Sequence, residues 1–308
     1  LFYDVTDGGN WEGNTILCNN LGISNVAFNF GITEEKVREI LKTSSEKLLK
    51  VRSNRIPPGL DDKVLVSWNS LMITAFAKGY RVTNDTKYLD AAKNCISFIE
   101  ENLFLDGNLL RTYKNGTAKI DGYLEDYSYF LNALLDVFEI EPDVKYIKLA
   151  SKLGHHLVDH FWDSENNNFF VTSDNHEKLI IRPKSNYDLS LPSGNSVSAF
   201  VMLRLHHILH EKKFLDITTK ILESQAQMAA ENPFGFGYLL NTLAIYLEKP
   251  VEITIINQEN SEICQSLISK YLPNSFRVTI NDSTQLEKLS EYPFFAGKTF
   301  ESKTSVFV

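Results

Sequence analysis

Cysteine is scarce in this sequence. Cys18, Cys95 and Cys264 are spread over 308 residues, and no two stand at the spacing of a metal knuckle or a redox motif. A disulfide framework is therefore excluded, and a reduced, cytoplasmic setting is expected. Long apolar runs are missing too: none approaches the roughly 20 residues that a membrane span needs. Leu1 leads into Phe2, Tyr3, Asp4 and Val5 with no charged n-region, and the absence of an initiating Met suggests a fragment of a longer chain. Basic charge is also short, with 31 Lys and Arg against 39 Asp and Glu and a net charge of -8. With no Lys/Arg-rich run to neutralise phosphates, nucleic acid is an unfavourable partner. Gly235 and Gly237 form a lone G-x-G without a preceding strand, so no dinucleotide cofactor is expected, nor any other.

What the chain does have is helical periodicity, and it comes in two kinds. From Thr33 to Lys50 a charged amphipathic helix carries Val37, Ile40, Leu41 and Leu48 on one side. Val64 to Tyr80 instead has Val64, Leu65, Trp68, Leu71, Met72, Ile73 and Phe76 all round its axis, which predicts burial on most sides, with Asp62 as its N-cap. Lys87 to Leu103 returns to one apolar face. The alternation repeats: Tyr123 to Phe138 is apolar nearly all round and Val144 to Phe161 is one-sided, followed by Asn195 to His210, Lys213 to Ala230, and a last apolar helix from Gly237 to Leu247. Alternating buried and half-buried helices joined as hairpins predict the inner and outer rings of an α/α toroid, mainly α and incomplete, with four inner and about four outer helices.

Asn115 and Gly116 mark a type I′ hairpin after Leu109 to Tyr113, and Phe169 to Thr172 is expected to pair with Lys178 to Ile181. After Pro250 the period changes. Strands are expected at 251–256, 276–280 and 304–308 around a helix from 261 to 272. The domains read as a toroid portion over 1–248 and a small α/β appendage over 249–308.

Each expected inner helix opens on polar residues: Asp61, Asp62, Trp68 and Asn69; then Glu125, Asp126 and Tyr127; then Ser193, Gly194, Asn195 and Ser196. If these starts stand side by side they line one mouth with carboxylates, amides and aromatics, the groups that hold a sugar. Acid/base chemistry on a sugar needs a proton donor and an acceptor, in glycosidases two carboxyls about 5–10 Å apart. Asp62, Glu125 and Asp126 are the catalytic candidates. The helix dipole favours the ionised form of Asp62 and Asp126, suiting them to a base or an electrostatic stabiliser. Acidic residues in a first turn are also ordinary caps, worth about 0.5–2 kcal/mol.

Trp68, Tyr123, Tyr127 and Trp11 are candidates to stack on a pyranose, although core packing is the more common use of such residues. Arg182 and Lys184, before Asp188, fit a clamp on phosphate or carboxylate, so the expected ligand is a sugar or sugar phosphate. Asp61, Asn69, Asp188, Ser193 and Asn195 complete the binding set. The seven histidines lie away from that mouth, and no metal site is expected.

The segments Tyr3-Asp4-Val5-Thr6, Gly9-Asn10-Trp11-Glu12-Gly13, Leu60-Asp61-Asp62-Lys63-Val64-Leu65, Ser67-Trp68-Asn69, Leu124-Glu125-Asp126-Tyr127, Arg182-Pro183-Lys184 and Pro192-Ser193-Gly194-Asn195-Ser196 resemble, in order, the spermatogenesis-associated protein 20 family. The resemblance implies a longer parent with a thioredoxin-like domain upstream of a six-hairpin toroid similar to N-acylglucosamine 2-epimerases and glycosidases. This chain would be its C-terminal part. The competing reading is a non-catalytic interaction module whose mouth binds a peptide or that upstream thioredoxin-like domain. Epimerases of this shape use cavity histidines, and none of the matched positions is a histidine.

Overall fold

A computed structural model describes residues 1–177, 180–257, 262–300 and 304–308. The chain divides into two compact units, Leu1–Asp61 and Asp62–Val308. In the first, α1 (Ile23–Phe30) ends on Gly31, whose φ of 61° is left-handed and suited to glycine. Helix α2 (Glu34–Ser53) starts where the Thr33 hydroxyl accepts the Lys36 N–H, with Glu34 and Glu35 against the positive end of its dipole. Val26, Ala27 and Val37 form a small core with Phe2, Leu21, Ile23 and Leu41. The helix expected over 33–50 thus lies in this unit.

The second unit begins with β1 (Val64–Leu65), which leads into α3 (Val66–Thr83) and its antiparallel partner α4 (Thr86–Asn102). Strand β2 (Phe104–Leu105) pairs with the start of β3 (Asn108–Lys114), and β1 and β4 (Thr117–Asp121) flank β3. Asn115 and Gly116 have φ of 51° and 76°, the double positive φ that the type I′ reading requires. Two further hairpins follow: α5 (Leu124–Phe138) with α6 (Val144–His160), then α7 (Gly194–Leu209) with α8 (Lys212–Glu231). Between them β5 (Trp162–Asp163) pairs with β6 (Asn168–Phe169). The pairing expected between 169–172 and 178–181 falls partly outside the described residues, at Lys178 and Leu179.

Helix α9 (Gly237–Glu248) closes the series. α3 packs on α5, α5 on α7 and α7 on α9, while α4, α6 and α8 each back onto the preceding inner helix and wedge against the next. Burial follows the periodicities. In α5 nearly every residue is buried, whereas α4 buries one stripe of Leu89, Ala92, Ile96 and Ile99. This two-layer arrangement is an arc of an α/α toroid.

Gly154 of α6 is one reason the layers close: a Cβ there would lie 2.5 Å from Leu205 of α7. No helix among the described residues is long and apolar enough to cross a membrane.

The inner helices run parallel, as contacts at both ends show. At the amino ends, the Ser67 N–H of α3 donates to Asp126 of α5 at 3.1 Å. Gly194 of α7 sits so near Leu124 of α5 that a Cβ would come within 2.8 Å of it. Asp188 accepts from Ser193 N–H at 2.7 Å and Tyr238 N–H at 2.8 Å, joining the starts of α7 and α9. At the opposite ends, Arg204 of α7 reaches Asp136 of α5, and Arg81 of α3 pairs with Glu139 at the end of α5. The amino termini therefore do share one side of the arc.

After α9, β7 (Val251–Asn257), α10 (Glu262–Ser269) and β8 (Ser275–Ile280) make a parallel unit. α11 (Ser283–Leu289) follows, and β9 (Thr304–Phe307) adds antiparallel to β7. Ile256, Phe276, Val278, Ile280 and Leu289 join the core of the helices, so sheet and arc share one hydrophobic interior. The Thr279 N–H donates to the Glu139 carbonyl at 2.9 Å, fixing β8 to the end of α5.

Candidate functional site

Most polar residues at the mouth serve the fold itself. Asp62 does not cap α3: Leu65 occupies that position without a side-chain bond, and Asp62 instead pairs with Lys114 on β3. The strand Val64–Leu65 intervenes, and α3 takes its missing acceptor from a neighbour, since Asp126 receives Ser67 N–H. Asp126 is wholly buried. It also accepts Tyr123 N–H at 2.9 Å, as the return arm of a capping box, and Arg111 at 2.8 Å. Burial pushes its carboxyl up, against the pull of Arg111 and the two amides. Desolvation thus works against the helix-dipole pull toward an ionised Asp126, and the side chain faces protein rather than ligand.

Glu125 differs. Its carboxylate is about one-third exposed and pairs with the same Arg111 at 2.8 Å. Arg111 and Lys114 are three residues apart on β3, an odd separation that points their side chains to opposite faces. Asp62, held by Lys114, is therefore not brought together with Glu125 and Asp126, and the three expected carboxylates do not form one acid/base group.

Tyr127 is no stacking surface. It is 3% exposed, its hydroxyl accepts Leu109 N–H at 2.8 Å, and its ring stacks on His156 at 4.8 Å. Burial pushes its phenol up to about 12. Asn69 turns back to donate to Leu65 O, one helical turn away, and accepts from Cys95. Asn195, fully buried, accepts Phe169 N–H at 2.7 Å and donates to the carbonyls of Phe169 and Ser185. Ser193 caps α7 through Ser196 N–H. Asp188 is occupied by the backbone amides of two helix starts, as described above.

The expected anion clamp is likewise taken. Arg182 lies 4.0 Å over the Phe170 ring and donates to the carbonyls of His160 and Thr172. Lys184 pairs with buried Asp163, which it holds well below the usual carboxylate range. Together they pin the 182–184 segment to the β5–β6 hairpin. Asp61 and Trp11 lie, exposed, in the first unit.

Trp68 is 62% exposed and its ring is accessible for stacking, one residue beyond the Ser67–Asp126 bond. Glu125 stands one residue to the other side of it. Two unexpected residues join them. Arg111 lies 4.5 Å over the Tyr123 ring, and the His176 ring packs 5.6 Å from the Tyr123 ring between centroids, bonding Ser173 and the Asp121 carbonyl. Glu125, Arg111, Tyr123 and His176 thus form a row at the start of α5. Arg111 was hidden inside a hairpin strand, and His176 inside a loop whose spatial return no local pattern encodes. Beside Glu125 opens a cleft of about 310 Å³, lined by Leu124, Tyr187, Leu191 and Ser193 among others.

Fold and mouth place the chain among α/α toroid proteins, with a polar rim at the amino ends of its inner helices. No protein-family model matches the chain. Spermatogenesis-associated protein 20 of Homo sapiens is 26% identical over 319 residues, covering 96% of this chain and 41% of the relative, to whose C-terminal part it corresponds. The Mus musculus protein of that name is 26% identical over 316 residues, covering 97% and 40%. The chain spans about two-fifths of the length of these relatives. Among solved structures, a GH76 α-mannanase from Bacteroides thetaiotaomicron is similar with a TM-score of 0.47 and 11% identity, covering 70% of this chain and 58% of that one. Cellobiose 2-epimerase from Bacillus thermoamylovorans gives 0.40 and 15%, covering 62% and 47%.

Proposed function

We propose that the mouth at the start of α5 is a carbohydrate-binding site, with Trp68 as its stacking surface and Glu125 and His176 as its proton-transferring groups. The supporting observation is the row of Glu125, Arg111, Tyr123 and His176 at the start of α5, with an exposed Trp68 one residue along α3 from the Ser67–Asp126 bond. It offers a carboxylate and an imidazole at one rim, with aromatic faces of the kind that match the apolar side of a pyranose. Arg111 fixes the Glu125 carboxylate with a 2.8 Å ion pair, while His176 supplies an imidazole beside the Tyr123 ring. Asp126 acts through Arg111, holding the guanidinium in place from beneath. The relatives' greater length and the resemblance noted above make an upstream thioredoxin-like domain part of the same proposal, and the few, widely spaced cysteines add a cytoplasmic location.

A thermal-shift and calorimetric screen of neutral mono- and oligosaccharides tests it. Binding that Trp68→Ala weakens at least tenfold, with turnover lost in Glu125→Gln and His176→Gln, is the expected result. Absence of binding by every sugar, or indifference to Trp68→Ala, sinks the reading.

A further inference from the structure

A second cavity lies at the other end of the inner helices, against the α/β appendage. It measures about 370 Å³, within the range of small-molecule sites. Its walls come from helical faces repeated at three- and four-residue intervals: Lys78 and Arg81 of α3, Asn132, Asp136 and Glu139 of α5, Phe200 and Arg204 of α7. Tyr238 of α9 and the 268–277 segment of the appendage complete it.

The charge here opposes that of the chain. Five cationic side chains, Lys78, Arg81, Arg204, Lys270 and Arg277, line the cavity against two carboxylates, Asp136 and Glu139, in a protein of net charge -8. Only part of this cationic set is internally neutralised. Arg204, almost wholly buried, donates to Asn132 and Asp136 at 2.8 Å and to Glu139 at 2.6 Å, and Arg81 takes the other oxygen of Glu139. Both carboxylates are thereby engaged. Arg277 donates to the carbonyls of Leu267, Ile268 and Lys270 at 3.0, 3.2 and 2.9 Å, which are dipoles and not counter-charges. Burial and the nearby Arg81 both push Arg277 down, as expected of two cations sharing a partly desolvated space. Lys78 and Lys270 stand exposed at its rim.

We infer that this cavity binds a small phosphorylated polyol, its phosphate received by Lys78, Arg81, Lys270 and Arg277. The excess of three positive charges suits a phosphomonoester, which carries about −1.5 to −2 at neutral pH and presents three acceptor oxygens. A carboxylate offers one charge and two oxygens, too little for cations arriving from α3, the α10–β8 connection and β8. The Asn132 amide is already bonded to Thr74, Asp136 and Arg204, so Tyr238 supplies the polar atom for a hydroxyl, and low-dielectric walls with Phe200 and Phe276 focus the field. This site is separate from the mouth and does not depend on its function.

Isothermal titration of the chain with glucose 6-phosphate, glucose and glucuronate tests the inference. The expected result is a Kd for glucose 6-phosphate below about 1 mM, with both other compounds at least tenfold weaker. Lys78→Glu combined with Lys270→Glu, two rim residues outside the buried network, should weaken it at least tenfold at unchanged Tm. Trp68→Ala should leave it unaltered, even if no neutral sugar binds the mouth. Failure of glucose 6-phosphate to bind, equal or tighter binding of glucose or glucuronate, insensitivity to the double charge reversal, or loss on Trp68→Ala would each overturn it.

Discussion

At the amino ends of α3, α5 and α7, the buried side chains Asp126, Asn195 and Ser193 and the half-buried Asp188 meet backbone N–H and C=O groups. At the carboxyl ends, Arg204, Asp136, Glu139 and Arg81 meet one another. The difference follows from what a helix end leaves open. An amino end has orphan N–H donors that one carboxylate or hydroxyl oxygen satisfies cheaply, so polarity there is consumed locally. A carboxyl end has orphan acceptors and negative dipole charge, which favours the cations Arg81 and Arg204 and lets them recruit acids from neighbouring helices. Polar residues crowded at a helix start are therefore weak evidence of a site. A charged network that ends in a surplus of cations is stronger evidence, because nothing in the fold requires the surplus.

The contrast is open to direct attack. The largest effect is expected from Arg204→Leu, which strands Asp136 and Glu139 in the interior and should cost about 3–5 kcal/mol in urea denaturation; a loss under about 1 kcal/mol would show that the network contributes little. Asn195→Ala, which leaves the Phe169 N–H and C=O without their partner, should cost about 2–4 kcal/mol by the same measurement. Arg81 and Arg204 hold Glu139 below its ordinary value of 4.5, so its contribution is full above that pH and is lost as pH falls through the lower folded value. Denaturation midpoints should drop below pH 4.5, less steeply in Glu139→Gln.

At the arc's outer layer, His156 is driven down to about 4 by burial and by His160. It is neutral in the fold while the unfolded chain takes up a proton near 6.5, so stability falls as pH drops from 6.5 to 4, and His156→Phe should flatten that interval. Smallest of all, Trp68→Ala should alter stability by less than about 0.5 kcal/mol, as expected of a mostly exposed side chain. A larger loss would make Trp68 a packing residue and weaken its reading as a sugar platform.

Much of the architecture was legible in local pattern. The apolar ring of α5 and the single stripe of α4 distinguish inner from outer helix without reference to anything distant, because burial on all sides demands apolar residues on all sides. Asn115 and Gly116 announce their turn for the same local reason. The mouth was legible only as a location. Asp126 reads as a base or a cap in isolation, and its true surroundings include Ser67, 59 positions away, and Arg111 on another strand. The stripe Asn132, Asp136, Glu139, spaced at four and three residues within an apolar helix, is a readable signal of a polar interior face. Its partner Arg204 stands 72 residues from Asn132.

Sequence alone determined the two-layer helical arc, since hydrophobic period is a property of each segment and burial enforces it segment by segment. Tertiary structure decided which polar groups remain available to a ligand. Whether a carboxylate is buried beneath a guanidinium or left at a rim depends on the residues that other elements bring to it, and desolvation and partner charge act through space rather than along the chain.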